Sequence, residues 1–154
     1  MRMDRMSFAR ERAESYFSQG FNCAESVLAA MCDTFFPDRR RTAVCFATAL
    51  GGGLGRCECL CGALNGAAMA VGAAVGRTDP SEKEKKDAAY AAIAPIFRAF
   101  KERFGSTCCA ELNHGDFISA EHRRRCTEIV GWTAGAVAAR LEDLTGGVSS
   151  AYSV

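Results

Sequence analysis

The sequence predicts an all-α protein, a compact single-domain helical bundle with a central Ala/Gly-rich helix. Three observations predict it. Apolar residues recur at helical spacing along most of the chain, and no segment alternates cleanly with period two. Glycine and proline clusters fall between the periodic segments, where helices stop. The chain's 154 residues suffice for one domain that buries roughly 70% of the surface its unfolded form would expose. The domain is expected over residues 1–145 and a flexible C-terminal tail over 146–154, with no internal repeat.

Residues 4–19 place Phe8, Ala9, Ala13, Tyr16 and Phe17 on one helical face and stop at Gly20. Asn22 is a suitable N-cap for a second helix over 23–35, which ends before Pro37. A third helix is expected from residue 38 or 39 to 50, where Gly51, Gly52, Gly53 and Gly55 break it. The fourth helix, over 62–75, is built of Ala and Gly, with Leu64, Met69, Val71 and Val75 as its larger apolar groups. Gly62 and Gly66, and again Gly72 and Gly76, fall four apart on one face, a spacing that lets backbones approach closely. Thr78, Asp79, Pro80 and Ser81 form a turn, and Ser81 with Glu84 resembles a capping box. A long helix then runs to Phe104, with Tyr90, Ile93, Phe97 and Phe100 or Phe104 facing inward and Pro95 kinking or interrupting it. Gly105 ends it. Ser106 or Thr107 can cap a short turn through Cys108, Cys109 and Leu112, and Ser119 a last helix to residue 144, with Ile129, Val130, Trp132, Val137 and Leu141 as core.

Lys plus Arg (19) nearly balances Asp plus Glu (18), so bulk charge points to neither nucleic acid nor a membrane as partner. Arg39, Arg40, Arg41 and Arg123, Arg124, Arg125 read as solvated helix faces. Residues 1–13 are charged throughout and lack the apolar core of a secretory signal, and no run approaches a membrane span. The expectation is a cytoplasmic protein with reduced thiols.

Those thiols are the chemical signal. Nine cysteines is far above ordinary cytosolic usage, and the odd number rules out complete pairing within one chain. Intracellular thiols in such numbers point to metal ligation or redox chemistry. Cys23, Cys61 and Cys108 each fall at a predicted helix start, where free backbone N–H groups and the helix dipole favour a thiolate. Cys126 lies within the last helix, one turn from His122 and on its inward face, where it reads equally as a small buried hydrophobe. Cys57, Cys59 and Cys61 form a C-x-C-x-C run that can wrap a soft metal, with Glu58 adding a carboxylate, but it is not the paired-knuckle pattern of a zinc ribbon. Of the adjacent Cys108 and Cys109, one can ligate while the other packs. Cys32 and Cys45 read as core.

The chain has no C-x-x-C motif, no haem-attachment motif and no ferredoxin run. His114 and His122 are its only histidines, His114 reads as a surface residue, and neither a phosphate loop nor a dinucleotide fingerprint is present. No general acid–base pair or substrate pocket can be pointed to, which leaves enzymatic activity open.

One set of landmarks occurs in a fixed order: Gly20-Phe21-Asn22-Cys23-Ala24-Glu25-Ser26-Val27, Ala49-Leu50-Gly51-Gly52-Gly53-Leu54-Gly55, Cys61-Gly62-Ala63-Leu64-Asn65-Gly66-Ala67, Phe104-Gly105-Ser106-Thr107-Cys108, and Cys126. With these the chain resembles, over nearly its whole length, the redox-active proteins named for their spaced cysteines and central C-G-A-x-x-G motif, the C_GCAxxG_C_C family. A related domain occurs in split-Soret cytochromes, where it is associated with an iron–sulfur cluster and a dimer. The resemblance implies a site of Cys23, Cys61, Cys108 or Cys109, and Cys126 for a [2Fe–2S]-type cluster, a homodimer and a redox partner protein. The Phe-Gly-x-x-Cys alignment favours Cys108. The cytochromes' haem-binding part is missing here, and Cys57 and Cys59 are additions beside Cys61 that could add to the site or substitute in it. Two alternatives stand beside the cluster: thiol–disulfide chemistry, with Cys61 as the low-pKa attacking thiol and Cys57 or Cys59 resolving, or a zinc or other soft-metal site without electron transfer.

Overall fold

The computed structural model describes residues 4–146, and the tail expected over 146–154 falls, beyond Gly146, outside them. The described residues are helical, without strands: α1 (Arg5–Ser18), α2 (Cys23–Phe35), α3 (Arg40–Ala43), α4 (Gly62–Val75), α5 (Lys83–Phe104), α6 (Cys109–Asn113) and α7 (Ala120–Leu144), with 3-10 turns at Pro37–Arg39 and Val44–Leu50. Helices α2 and α4 occupy the middle. Helix α2 packs on α1, α4 and α7, and α4 packs on α2, α5 and α7.

Local chemistry fixes the ends of these helices. Asp4 caps α1, accepting from the Ser7 backbone N–H, and Ser119 caps α7, accepting from that of His122. Asn22 and Glu25 form a reciprocal capping box at α2, each side chain accepting from the other's backbone N–H at 2.9 and 2.8 Å. Gly105 closes α5 in the left-handed region at φ 84°, which glycine enters without a Cβ clash.

Small residues set how close the elements come. On α4, a Cβ at Gly66 would sit 2.5 Å from the Ala24 carbonyl oxygen and one at Gly62 3.2 Å from the Cys23 Cβ, so α4 meets α2 backbone to backbone. The second glycine pair does not share this role: Gly72 faces open space, and Gly76 is the C-cap of α4. Helices α1 and α7 meet along a similar seam, with Ala9 and Ala13 fully buried on one side and Gly131, Ala134 and Gly135 on the other. The larger groups pack around these seams, with Trp132 of α7 edge-on to Phe100 and Phe104 of α5.

Several expectations are corrected. The third helix is broken into α3 flanked by 3-10 turns. Its sequence lacks a continuous apolar stripe, with Ala47 its one buried residue over 44–50, and it is held instead by polar contacts to the start of α2. The Ser81–Glu84 capping box does not form: Ser81 donates to Asp79, and Glu82 accepts from the Thr78 and Asp79 N–H groups. Helix α5 is not interrupted at Pro95 and continues through it. Proline removes the N–H that would reach the Ala91 carbonyl, and the Arg140 guanidinium donates to that carbonyl instead, at 3.4 Å. The inner face of α5 carries Ala92, Ile96 and Phe100, while Tyr90 is 65% exposed. Phe8, expected inward on α1, and Phe97 are also exposed, and so is Cys45, expected in the core. Cys32 is fully buried.

Candidate functional site

Four chain segments deliver thiols to one buried region. Cys23 is the first residue of α2, directly after the capping box. The Asn22 amide also donates to the Thr48 carbonyl at 2.9 Å, and Thr48 donates to Glu25 at 2.7 Å, which ties this helix start to the 3-10 segment. Gly51 permits that arrangement, since a Cβ there would lie 2.5 Å from Asn22 Cγ. Cys61 is the N-cap of α4, and its backbone N–H donates to the Thr107 carbonyl at 2.8 Å. That bond draws the segment before α6 alongside, so that Cys109, the first residue of α6, enters the same region. Cys126 arrives from the second turn of α7. Cys61, Cys109 and Cys126 are 4%, 7% and 4% exposed, and Cys23 is half-buried.

The electrostatics of these thiols are mutual. Cys23 hydrogen-bonds Cys126 and feels the charges that Cys126, Cys61 and Cys109 would carry. Its own thiol is held well above the usual range, first by that hydrogen bond and then by burial. Cys126 moves the opposite way: the hydrogen bond from Cys23 and the Arg125 charge favour its thiolate against the burial penalty. Burial pushes Cys61 up to about 12, although the Ala63 and Leu64 N–H groups at the start of α4 oppose it. Burial likewise pushes Cys109 up to about 11. The helix-start placement that predicts a low-pKa Cys61 is therefore real, but desolvation outweighs it. The thiolate-favoured member is Cys126, from the second turn of α7 rather than a helix start.

Between Cys109 and Cys126 stands Asn113, which is 1% exposed. Its Nδ2 donates to the Cys109 carbonyl at 3.0 Å and lies 3.6 Å from Cys109 Sγ. Its Oδ1 accepts from His122 Nδ1 at 2.9 Å and lies 3.6 Å from Cys126 Sγ. Burial lowers the pKa of His122, which suits a neutral imidazole donating to that amide. Arg125 reaches the Asn113 side chain and carbonyl, each at 3.4 Å, so it is not a wholly solvated member of its basic run. Asn113 belongs to no motif and Arg125 looks like a solvated residue in sequence; the available signal is spacing, since Asn113 follows Cys109, and Cys126 follows His122, by one helical turn.

The remaining cysteines lie elsewhere. Cys108 is the N-cap of α6, and its thiol donates to the Glu58 carbonyl at 3.2 Å. Cys57 and Cys59 are exposed. The structure thus brings together Cys23, Cys61, Cys109 and Cys126, with Cys108 one residue outside the group. As the side chains stand, no three His, Cys, Asp or Glu groups among the described residues are placed to hold a single metal ion. The donor set nonetheless fits a thiolate-bound cluster in kind: four sulfurs, mostly shielded from water, with N–H donors directed at two of them, Cys61 and Cys109. No helix among the described residues is long and apolar enough to cross a membrane.

Residues 21–140 match the model of a family described as "Putative redox-active protein (C_GCAxxG_C_C)". That span contains all four grouped cysteines and both glycines of the close α2–α4 approach. A protein of Archaeoglobus fulgidus, described only as uncharacterized, is 30% identical over 135 residues, which cover 83% of this chain and 89% of the relative. No solved structure matches.

Proposed function

We propose a function from one premise: this chain belongs to the C_GCAxxG_C_C family, whose description is redox-active. The redox centre is the group Cys23, Cys61, Cys109 and Cys126, and its role is to hold an iron–sulfur cluster, [2Fe–2S] in type, for electron transfer with a partner protein. The observation that carries this reading is the convergence of four cysteines from four distant segments into one buried region. Such a convergence supplies the ligand count that either common cluster type requires. A bound cluster supplies one-electron chemistry. The chain's own residues exclude water and, through the Ala63 and Leu64 N–H groups at Cys61 and Asn113 at Cys109, donate hydrogen bonds that tune a sulfur-bound centre. Loading requires the thiols to lose their protons. The resemblance to the split-Soret domain also implies a homodimer, which sedimentation of the loaded protein would reveal.

Anaerobic purification followed by iron and sulfide analysis tests the reading. Serine replacement at Cys23, Cys61, Cys109 or Cys126 is expected to abolish iron retention, whereas Cys108→Ser retains it. A colourless chain without iron after anaerobic reconstitution overturns the proposal, and zinc at an X-ray absorption edge replaces it with a redox-inert metal site.

A second reading has its own observation. The thiols of Cys23 and Cys126 influence each other's ionisation, with the thiolate favoured on Cys126, a pairing suited to a dithiol that closes to a disulfide. Under that reading only Cys23 and Cys126 are essential, and replacement of Cys61 leaves thiol exchange intact.

A further inference from the structure

A second grouping of cysteines lies outside the buried one. Cys57 and Cys59 are both exposed. They flank Glu58, whose backbone occupies the left-handed region at φ 67°. Two residues flanking a single one stand about 5.4 Å apart at Cα where the middle residue is helical in either hand and about 6.6 Å apart where it is extended. Both spacings lie inside the range of roughly 4.4–6.8 Å that disulfides span.

The turn is imposed by its surroundings. Leu54 and Arg56 also have positive φ, 64° and 65°, and each such residue without a glycine costs about 1–2 kcal/mol. What holds them is a closed set of backbone bonds: Glu58 N–H to the Gly52 carbonyl at 3.1 Å and Cys59 N–H to the Gly53 carbonyl at 3.0 Å. The Glu58 carbonyl in turn accepts from the Ala110 N–H at 3.0 Å and from the Cys108 thiol at 3.2 Å. Glu58 is thus anchored to α6 while the thiols on either side of it face solvent. This pairing of anchored backbone with exposed sulfur is absent at the buried site, where Cys61 is 4% exposed.

We propose that Cys57 and Cys59 form a surface dithiol–disulfide couple that exchanges with an accessible disulfide, separate from the buried thiols. One thiolate of the pair attacks a sulfur of the incoming disulfide. That S–S bond breaks, a mixed disulfide forms, and one sulfur of the incoming molecule leaves as a thiol. The second cysteine then attacks the sulfur of the first, closing the Cys57–Cys59 bond and releasing the other sulfur. Two electrons pass from the pair to the incoming disulfide, and the two protons of the pair end on the released thiols. A dithiol donor reverses the sequence. The couple uses no member of the buried set, so it stands or falls independently of the cluster.

The test is peptide-resolved mass spectrometry of the full, reduced, anaerobically prepared chain after incubation with oxidised glutathione in one arm and with insulin, a protein bearing exposed disulfides, in the other. The expected product is a Cys57–Cys59 bond, with C57S and C59S each arrested as a mixed disulfide. Reaction in the first arm alone identifies a small-molecule disulfide as the exchange partner, and reaction in the second identifies a protein. The C57S/C59S double variant is expected to keep the iron content of the parent chain. No reaction in either arm, a bond from either residue to Cys61, or loss of iron in the double variant overturns the proposal. A parent chain that binds no iron but still forms the Cys57–Cys59 bond sinks the cluster reading alone.

Discussion

Asn113 belongs to none of the cysteine motifs, yet its side chain reaches two members of the thiol group, and its amide is almost fully buried. Its carboxamide gives hydrogen bonds on one side and accepts them on the other, so it fixes the spacing of Cys109 from Cys126. Truncation would leave the His122 N–H without its acceptor in a part-buried setting, at a cost of about 1–3 kcal/mol. Asn113→Ala is therefore expected to lower the urea midpoint of the reduced, metal-free chain and to speed alkylation of Cys109, and an unchanged midpoint would show that the amide only fills space. The choice between Cys108 and Cys109 was likewise out of reach of sequence. Both sit at the start of α6, and a single residue of offset decides which thiol turns inward. The deciding group is the Glu58 carbonyl, fifty positions away, and alignment on the Phe104-Gly105 landmark carries no information about it.

Elements whose limits are set by local chemistry were legible. Helix α2 starts at an Asn–Glu capping box, and α4 runs from the Cys61-Gly62 step to Gly76; these signals lie within a few residues of the ends they define. The face of α5 was legible in part: Phe100 is fully buried and Ile93 and Phe104 pack against the core, while Tyr90 and Phe97 are exposed. Size suggested Tyr90 and Phe97 as inward residues, but α5 packs on the Ala/Gly surface of α4, and close approach there favours Ala92 and Ile96. The same limit applied to α4 itself, whose glycines look alike in sequence and differ in surroundings. Gly66→Ala would force a methyl group to 2.5 Å from a backbone oxygen of α2, a clash with no flexible side chain to yield. A loss of about 1–3 kcal/mol is expected, with weaker iron retention as Cys23 and Cys61 separate. Gly72→Ala meets nothing within 4 Å and is expected to stabilise the helix by about 0.5–1 kcal/mol. Equal effects of the two substitutions on thermal unfolding would refute the close-approach account.

For the molecule as a whole, burying so many thiols couples folding to pH. Cys32 is the clean reporter, since it lies in the core away from the candidate site, is fully buried, and is pushed up by desolvation to about 11 from an ordinary value of 9.0. Below pH 9 both the folded and the unfolded chain keep this proton, so it contributes no pH dependence. Between about 9 and 11 the unfolded chain releases it while the folded chain retains it. The unfolded state then binds fewer protons, and stability falls as pH rises, with a slope approaching about 1.4 kcal/mol per pH unit for one thiol. Above about 11 the folded state ionises as well and this contribution levels off. Cys61 and Cys109 shift in the same direction and steepen the fall in the metal-free chain. Cys32→Ala should lower stability by a constant amount near neutrality, for the lost packing, and should flatten the alkaline decline by that single thiol's share. Urea unfolding of the reduced chain, with a chelator present, at a series of values from about pH 8 to about pH 11 measures both effects. Parallel curves for Cys32→Ala and the parent would mean that the Cys32 thiol ionises as readily in the fold as in the unfolded chain, and that desolvation does not govern the thiols of this core.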